Sequence, residues 1–271
     1  MTRPSVDSSL VPLLERNARL PAGVAAGLAC VGLTSERSHW RMTVPDWLVE
    51  PDGSVPAGGL GILVDAAMTS ACVAAVGDRV SVVTSHLHLE LLAPLRTGAL
   101  MCVGQATAIG DGWALGAALV TAQDGTVLAR VSMGALVFDQ AQNQGPPVTS
   151  STTDTNPGCL GMEIAPHGNP VTTHTPAHSW LANLYGGMHG GAGLLIGERT
   201  LHAAIGPTMR PIELRAVYLR PIPADGHLIE SVGTIAHLGR RLGAARGEVK
   251  TPEGKPALLI DATYVAPRIG D

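Results

Sequence analysis

The chain contains a copy of itself. The segment AGGLGILVDAAMTSACVAAVG at 57–77 has a counterpart in HGGAGLLIGERTLHAAIG at 189–206, and each opens the same series of landmarks. Each is followed by an alternating stretch ending in a proline (Pro94; Pro221), then a glycine turn (Gly110; Gly239), then a second turn (Asp124-Gly125; Glu253-Gly254). With Asp65 aligned to Gly197, the landmark pairs are separated by 127 to 132 residues. Two copies are too few for a solenoid, which needs roughly three or more stacked repeats. They specify a duplicated domain or a fused dimer.

Each copy reads in the same order. A turn leads into an apolar helix, and three or four strands follow, joined by short glycine turns. The strand period shows in His86-Leu87-His88-Leu89-Glu90-Leu91, which alternates polar and apolar residues. Connections this short make an antiparallel meander. One apolar helix and one antiparallel sheet form an α+β layer, with the sheet wrapped on the helix. Aromatics are scarce (four Trp, three Tyr, one Phe), so Ala, Val, Leu and Ile must build the core. The repeats are expected over 1–139 and 170–271, with a short helix at about 8–20 packed outside the first. Residues 140–169, opening AQNQGPPVTSSTTDTNPG after Gln140, read as a linker.

Several functions are disfavoured by composition. The net charge of −4 lacks the basic excess of nucleic-acid-binding domains. The stretch Gly58–Val76 has nearly the length of a membrane span, but Asp65 lies inside it and no aromatic or basic anchors flank it. A helix apolar all round is instead read as buried in a soluble domain. The opening MTRPSVDSSLVPLLERNARL lacks the apolar core of a signal peptide, so the expected setting is cytoplasmic. The four cysteines (Cys30, Cys72, Cys102, Cys159) form no CxxC pair, and no metal site is expected. His86 and His88 share a strand face but lack a third ligand, so they read as structural. No G-x-G-x-x-G, Walker A or G-x-S-x-G motif is present.

The segment NLYGGMHGG, Asn183 to Gly191, opens an apolar helix. It resembles the N-x-x-G-x-x-H-G-G signature of hotdog-fold acyl-CoA thioesterases, in the branch named for phenylacetic acid degradation. Pro94-Leu95-Arg96-Thr97-Gly98 and Pro221-Ile222-Pro223-Ala224-Asp225-Gly226 are similar to that family's strand end, the second with one extra residue. The likeness covers most of 40–139 and 175–267. It implies a tandem (double) hotdog, packed as an intramolecular pseudo-dimer.

The departures from that pattern are complementary. In the second repeat Asn183, His189 and Gly190 match, but the family's Asp position falls on Gly197, with Glu198 one residue late, and its Ser/Thr position on Pro211. In the first repeat the Asn and His positions fall on Pro51 and Ala57, whereas Asp65 and Thr84 occupy the Asp and Ser/Thr positions. Each repeat has lost what the other retains. The family's sites lie across a dimer interface, so the resemblance implies one composite site of Asp65, Thr84, Asn183, His189 and Gly190, and one degenerate site.

The implied activity is hydrolysis of an acyl-CoA to free acid and CoA, with CoA part of the substrate and no further cofactor. The helix N-terminus at Gly190 would stabilise the oxyanion. Asp65 would act as general base or as nucleophile, Thr84 would hold the water, and Asn183 would orient the carbonyl or the backbone. Arg240 and Arg241 read either as CoA-phosphate ligands or as a solvated basic pair. Two other functions stay open: a non-catalytic acyl-CoA sensor of the same fold, and a hotdog hydratase. The latter's resemblance pattern, Asp and His five residues apart, is absent here. The exposed faces of two fused repeats could also pair again into a homodimer.

Overall fold

The computed structural model describes residues 6–17, 19–77, 80–139, 160–165 and 168–266. Its two long helices are α3 (Leu60–Val76), entered through a 3-10 turn at Ala57–Gly59, and α4 (Gly190–Ile205). Every residue of α3 from Leu60 to Met68 is buried. Among the described residues it is the one helix long and apolar enough to cross a membrane, and it is held inside the protein, as its all-round apolar surface requires.

A single twelve-stranded sheet wraps these helices. Its first six strands are β1 (Leu28–Leu33), β2 (Arg37–Thr43), β3 (Val80–Leu91), β4 (Ala99–Gly110), β5 (Trp113–Ala122) and β6 (Val127–Asp139). The rest are β7 (Glu163–Ile164), β8 (Val171–Pro176), β9 (Arg210–Tyr218), β10 (Leu228–Leu238), β11 (Leu242–Lys250) and β12 (Pro256–Val265). The spatial order is β1-β2-β4-β5-β6-β3-β9-β12-β11-β10-β8-β7, so the second six strands mirror the order of the first. The adjacent strands pair antiparallel, including the central seam of β3 and β9, in register from His86↔Val217 to Glu90↔Glu213. At that seam His88 Nε2 lies 2.8 Å from Glu213 Oε1, a structural pairing.

The N-terminal helix departs from expectation. In place of one helix over 8–20 there is a 3-10 turn at Ser8–Leu10, α1 (Val11–Asn17) and α2 (Pro21–Ala25). Pro21 starts α2 at its first position, where a missing N–H costs nothing, and separates it from α1. This segment also reaches beyond the first half of the chain. Asn17 Nδ2 donates to Ser70 Oγ at 2.9 Å on α3, while Ala22 N–H donates to Ala182 O at 3.2 Å in the second half. Of the expected linker, 140–159 and 166–167 lie outside the described residues, and β7 occupies part of the remainder, pairing with β8.

The two long helices cross on glycine. A Cβ on Gly191 would lie 2.1 Å from the Gly61 carbonyl carbon, and one on Gly61 would lie 2.9 Å from Gly191 Cα. Backbone meets backbone, and neither residue tolerates a side chain. Gly191→Ala is therefore expected to destabilise the protein by at least about 3 kcal/mol, the upper end of the overpacking range. Gly193→Ala, whose Cβ would meet only Leu258 at 3.7 Å, should stay within about 1 kcal/mol of wild type. Urea unfolding of both variants checks this, and equal stability would refute the tight crossing.

Candidate active site

The glycine crossing determines where Asp65 sits. One turn beyond Gly61 on α3, Asp65 faces the N-terminus of α4, with its Oδ2 3.3 Å from His189 Nδ1. Both side chains are buried, at 6% and 4% exposure for Asp65 and His189. Thr84 of β3 donates its hydroxyl to Asp65 Oδ1 in a short hydrogen bond. The two halves of the chain thus bring Asp65 and Thr84 against His189 and Gly190.

The imidazole of His189 has a determined task. It caps α4, with Nδ1 accepting the Gly191 N–H at 3.1 Å. A nitrogen that accepts from Gly191 cannot also donate to Asp65. Burial pushes the His189 pKa below its usual value and so favours the neutral ring, against the opposing pull of Asp65. Oδ2 therefore receives no proton from this ring and remains available to another donor. Beside it the Gly190 N–H has no partner among the described residues, at the positive end of a sixteen-residue helix. A Cβ on Gly190 would lie 2.9 Å from Asp65 Oδ2, so only glycine fits there without displacing the carboxylate.

Asn183 works on the loop. Its Oδ1 accepts the Tyr185 N–H at 2.8 Å and its backbone N–H donates to Gly187 O at 2.7 Å, fixing the turn that leads into His189. Asn183, Gly190, Asp65 and Thr84 all line one cavity of about 700 Å³. Arg240 and Arg241 do not line it. They are exposed on the β10–β11 turn. Two other arginines do, Arg16 of α1 and Arg220 after β9. Tyr218 also lines the cavity, donating its hydroxyl to Gly190 O at 3.0 Å. Neither Tyr218 nor Arg16 stands out in the sequence, where the one available signal was a rare aromatic just before Pro221. Among the described residues no cluster of three or more His, Cys, Asp or Glu side chains could hold a metal ion.

The opposite approach, α4 toward the start of α3, is built differently. Glu198 of α4 is 3% exposed and lies against Gly58, whose added Cβ would be 3.0 Å from Glu198 Cβ. Glu198 Oε2, His202 Nδ1 and the Tyr264 hydroxyl are buried without partners among the described residues. Tyr264 stands opposite Pro211 in the β12–β9 pairing, where the β6–β3 pairing sets Ala135 opposite Thr84. A buried tyrosine thus stands opposite Pro211 where an alanine stands opposite Thr84.

No family model and no curated protein matches the sequence. Solved structures do match in shape. Acyl-CoA thioesterase II TesB2 from Mycobacterium marinum superposes with a TM-score of 0.63 at 13% identity, covering 92% of this chain and 99% of that one. The TesB protein of Mycobacterium avium subspecies paratuberculosis gives 0.62 at 14% identity, covering 96% and 100%. A 12:0-ACP thioesterase from Umbellularia californica gives 0.59 at 11% identity, covering 85% and 94%. The chain has a hotdog-like α+β fold. At these identities the likeness is one of fold.

Burial drives the Glu198 pKa up from 4.5 to about 7, the adjacent Glu50 adding to the rise while Arg199 and the Gly58 N–H oppose it. A carboxyl raised in the folded state contributes stability that is complete below its unfolded pKa and is lost as pH rises through the folded one. Wild type should therefore lose stability, relative to Glu198→Gln, across the window from 4.5 to about 7. The expected difference is up to about 3 kcal/mol. Urea midpoints of both proteins on either side of that window test it, and parallel pH profiles would contradict it.

Proposed function

We propose that the protein hydrolyses an acyl-CoA thioester at one site per chain. The observation that carries this reading is the approach of the Asp65 carboxylate to the capped N-terminus of α4, within a largely apolar cavity. In this reading the carbonyl oxygen of the thioester lies on the Gly190 N–H, where the helix end stabilises the oxyanion as it develops. Asp65 Oδ2, unprotonated by His189, draws a proton from water as that water attacks the carbonyl carbon. The tetrahedral intermediate then expels the CoA thiolate, which takes the proton held by Asp65 and restores the carboxylate. Thr84 holds the other carboxylate oxygen and so sets the angle at which Oδ2 faces the cavity. His189 positions the helix end, and Tyr218 fixes the Gly190 peptide by its carbonyl. Asn183 maintains the turn that delivers both.

The same proposal takes the chain as two fused hotdog repeats, about 1–139 and 170–271, forming a pseudo-dimer. The mirrored strand order and the offsets in the sequence support it. In that pseudo-dimer the second locus is degenerate: Pro51 and Ala57 replace the Asn and His, Pro211 replaces the hydroxyl residue, and Tyr264 occupies the space. The fold likeness to acyl-CoA and acyl-ACP thioesterases agrees with the reading. Arg220, exposed at the cavity mouth, is placed to meet the phosphates of CoA, a role that Arg240 and Arg241 are too far around the sheet to share in this reading.

Thiol release from a panel of acyl-CoAs tests the proposal. Asp65→Asn should lower kcat by about 10²–10⁴, the range for a lost general base. Tyr218→Phe removes one hydrogen bond to the Gly190 carbonyl and should cost about 5-fold, from a bond of about 1 kcal/mol. Unchanged turnover in Asp65→Asn would overturn the composite site.

A further inference from the structure

The cavity does not stop at the thioester. From Asp65 it follows one face of α3 through Thr69 and Ser70 to Val73, two turns or about 12 Å along the axis. Trp40, Val82, Leu13 and Leu20 also line the cavity and make it largely apolar. Arg16 also lines it, next in the chain to Asn17, which donates to Ser70 Oγ at 2.9 Å. Arg16 Nε is shut off from solvent and has no hydrogen-bond partner, and no ion pair neutralises the guanidinium among the described residues.

Such a donor is costly to leave unmade. Three other described arginines have visible partners: Arg199 with Glu50 at 2.6 Å, Arg215 with Glu213 at 2.6 Å, Arg220 with Pro256 O at 2.6 Å, and Arg16 is the one described arginine with a buried, unpartnered side-chain nitrogen. The two cavity arginines also differ in setting. Arg220 is exposed and adjoins Ile222, whose carbonyl accepts the Met188 N–H at 2.7 Å on the α4 side of Asp65. Arg16 lies on the α3 side, by way of its neighbour Asn17 at Ser70. The thioester must sit between them, at Asp65 and Gly190. The highly charged CoA then leaves past the exposed Arg220, and the acyl chain runs toward the half-buried Arg16.

We propose that the acyl chain ends in a carboxylate and that Arg16 binds it. The substrate class is the mono-CoA thioester of a medium-length dicarboxylic acid. A guanidinium lining a largely apolar cavity pairs with a carboxylate through charge-assisted hydrogen bonds, whereas a terminal methyl would leave it unpaired. This inference rests on the acyl-thioester reading above.

The test compares octanoyl-CoA with the mono-CoA thioester of octanedioic acid, matched in length, in wild type, Arg16→Met and Arg16→Lys. Wild type should favour the carboxylate by at least ~10-fold in kcat/KM, the scale of a hydrogen bond to a charged group. Arg16→Met should abolish or invert that ratio, and Arg16→Lys should retain part of it. Non-hydrolysable thioether analogues of the same two compounds, titrated calorimetrically into wild type and Arg16→Met, give the ratio of affinities independently of turnover. Should neither thioester be cleaved while the analogues show the Arg16-dependent preference, the ligand assignment stands and hydrolysis falls. An equal ratio in wild type and Arg16→Met overturns the assignment. So does an Arg16→Met defect common to both substrates that vanishes with acyl-pantetheine thioesters lacking the nucleotide, because Arg16 would then be serving CoA.

Discussion

Two glycines in contact, Gly61 of α3 and Gly191 of α4, set the geometry on which everything else depends. With side chains at that crossing the helices would stand further apart. Asp65, four residues beyond Gly61, would then lose its approach to the end of α4. The crossing is backbone on backbone, so its geometry is stiff, and a reacting group carried on it is held by the core itself rather than by a loop. The polar network at the site follows from this closeness. His189 has to cap α4 because the helix end is buried, and by accepting from Gly191 it leaves the neighbouring carboxylate oxygen free.

A fused pair can diverge where a symmetric dimer cannot. In a symmetric dimer any substitution changes both sites together. In the proposed pseudo-dimer the two loci are separate positions of one chain, and in that reading they differ at each of them. Asp65 faces a glycine-rich helix start, whereas Glu198 faces Gly58 with Tyr264 filling the space beside it. Both helices nevertheless bury their apolar faces under the same continuous sheet, so the fold survives a difference that the proposed chemistry would not.

Much of this was legible in the residues. The duplicated landmarks give two equal sets of elements, and the alternation in β3 and the all-round apolar α3 are direct consequences of where each lies. The juxtaposition of Asp65 and Thr84 with His189 and Gly190 followed from complementary losses in the two copies, and the structure brings those four together. Other features depended on packing that no local pattern encodes. The N-terminal segment reads as an exposed helix because its only fully buried positions are few, yet Pro21 redirects it across both halves and Arg16 reaches the cavity. Tyr218 and Tyr264 are ordinary strand residues in sequence, and only the pairing of β9 and β12 with their neighbours gives one a peptide to hold and the other a site to fill.

The most direct measurement is a crystal structure of Asp65→Asn with an intact acyl-CoA bound. The expected result is a single thioester per chain, its carbonyl oxygen on the Gly190 N–H and its carbonyl carbon facing residue 65. A thioester bound instead between Glu198 and Gly58, or at both loci, would contradict the assignment of one working site built from both halves.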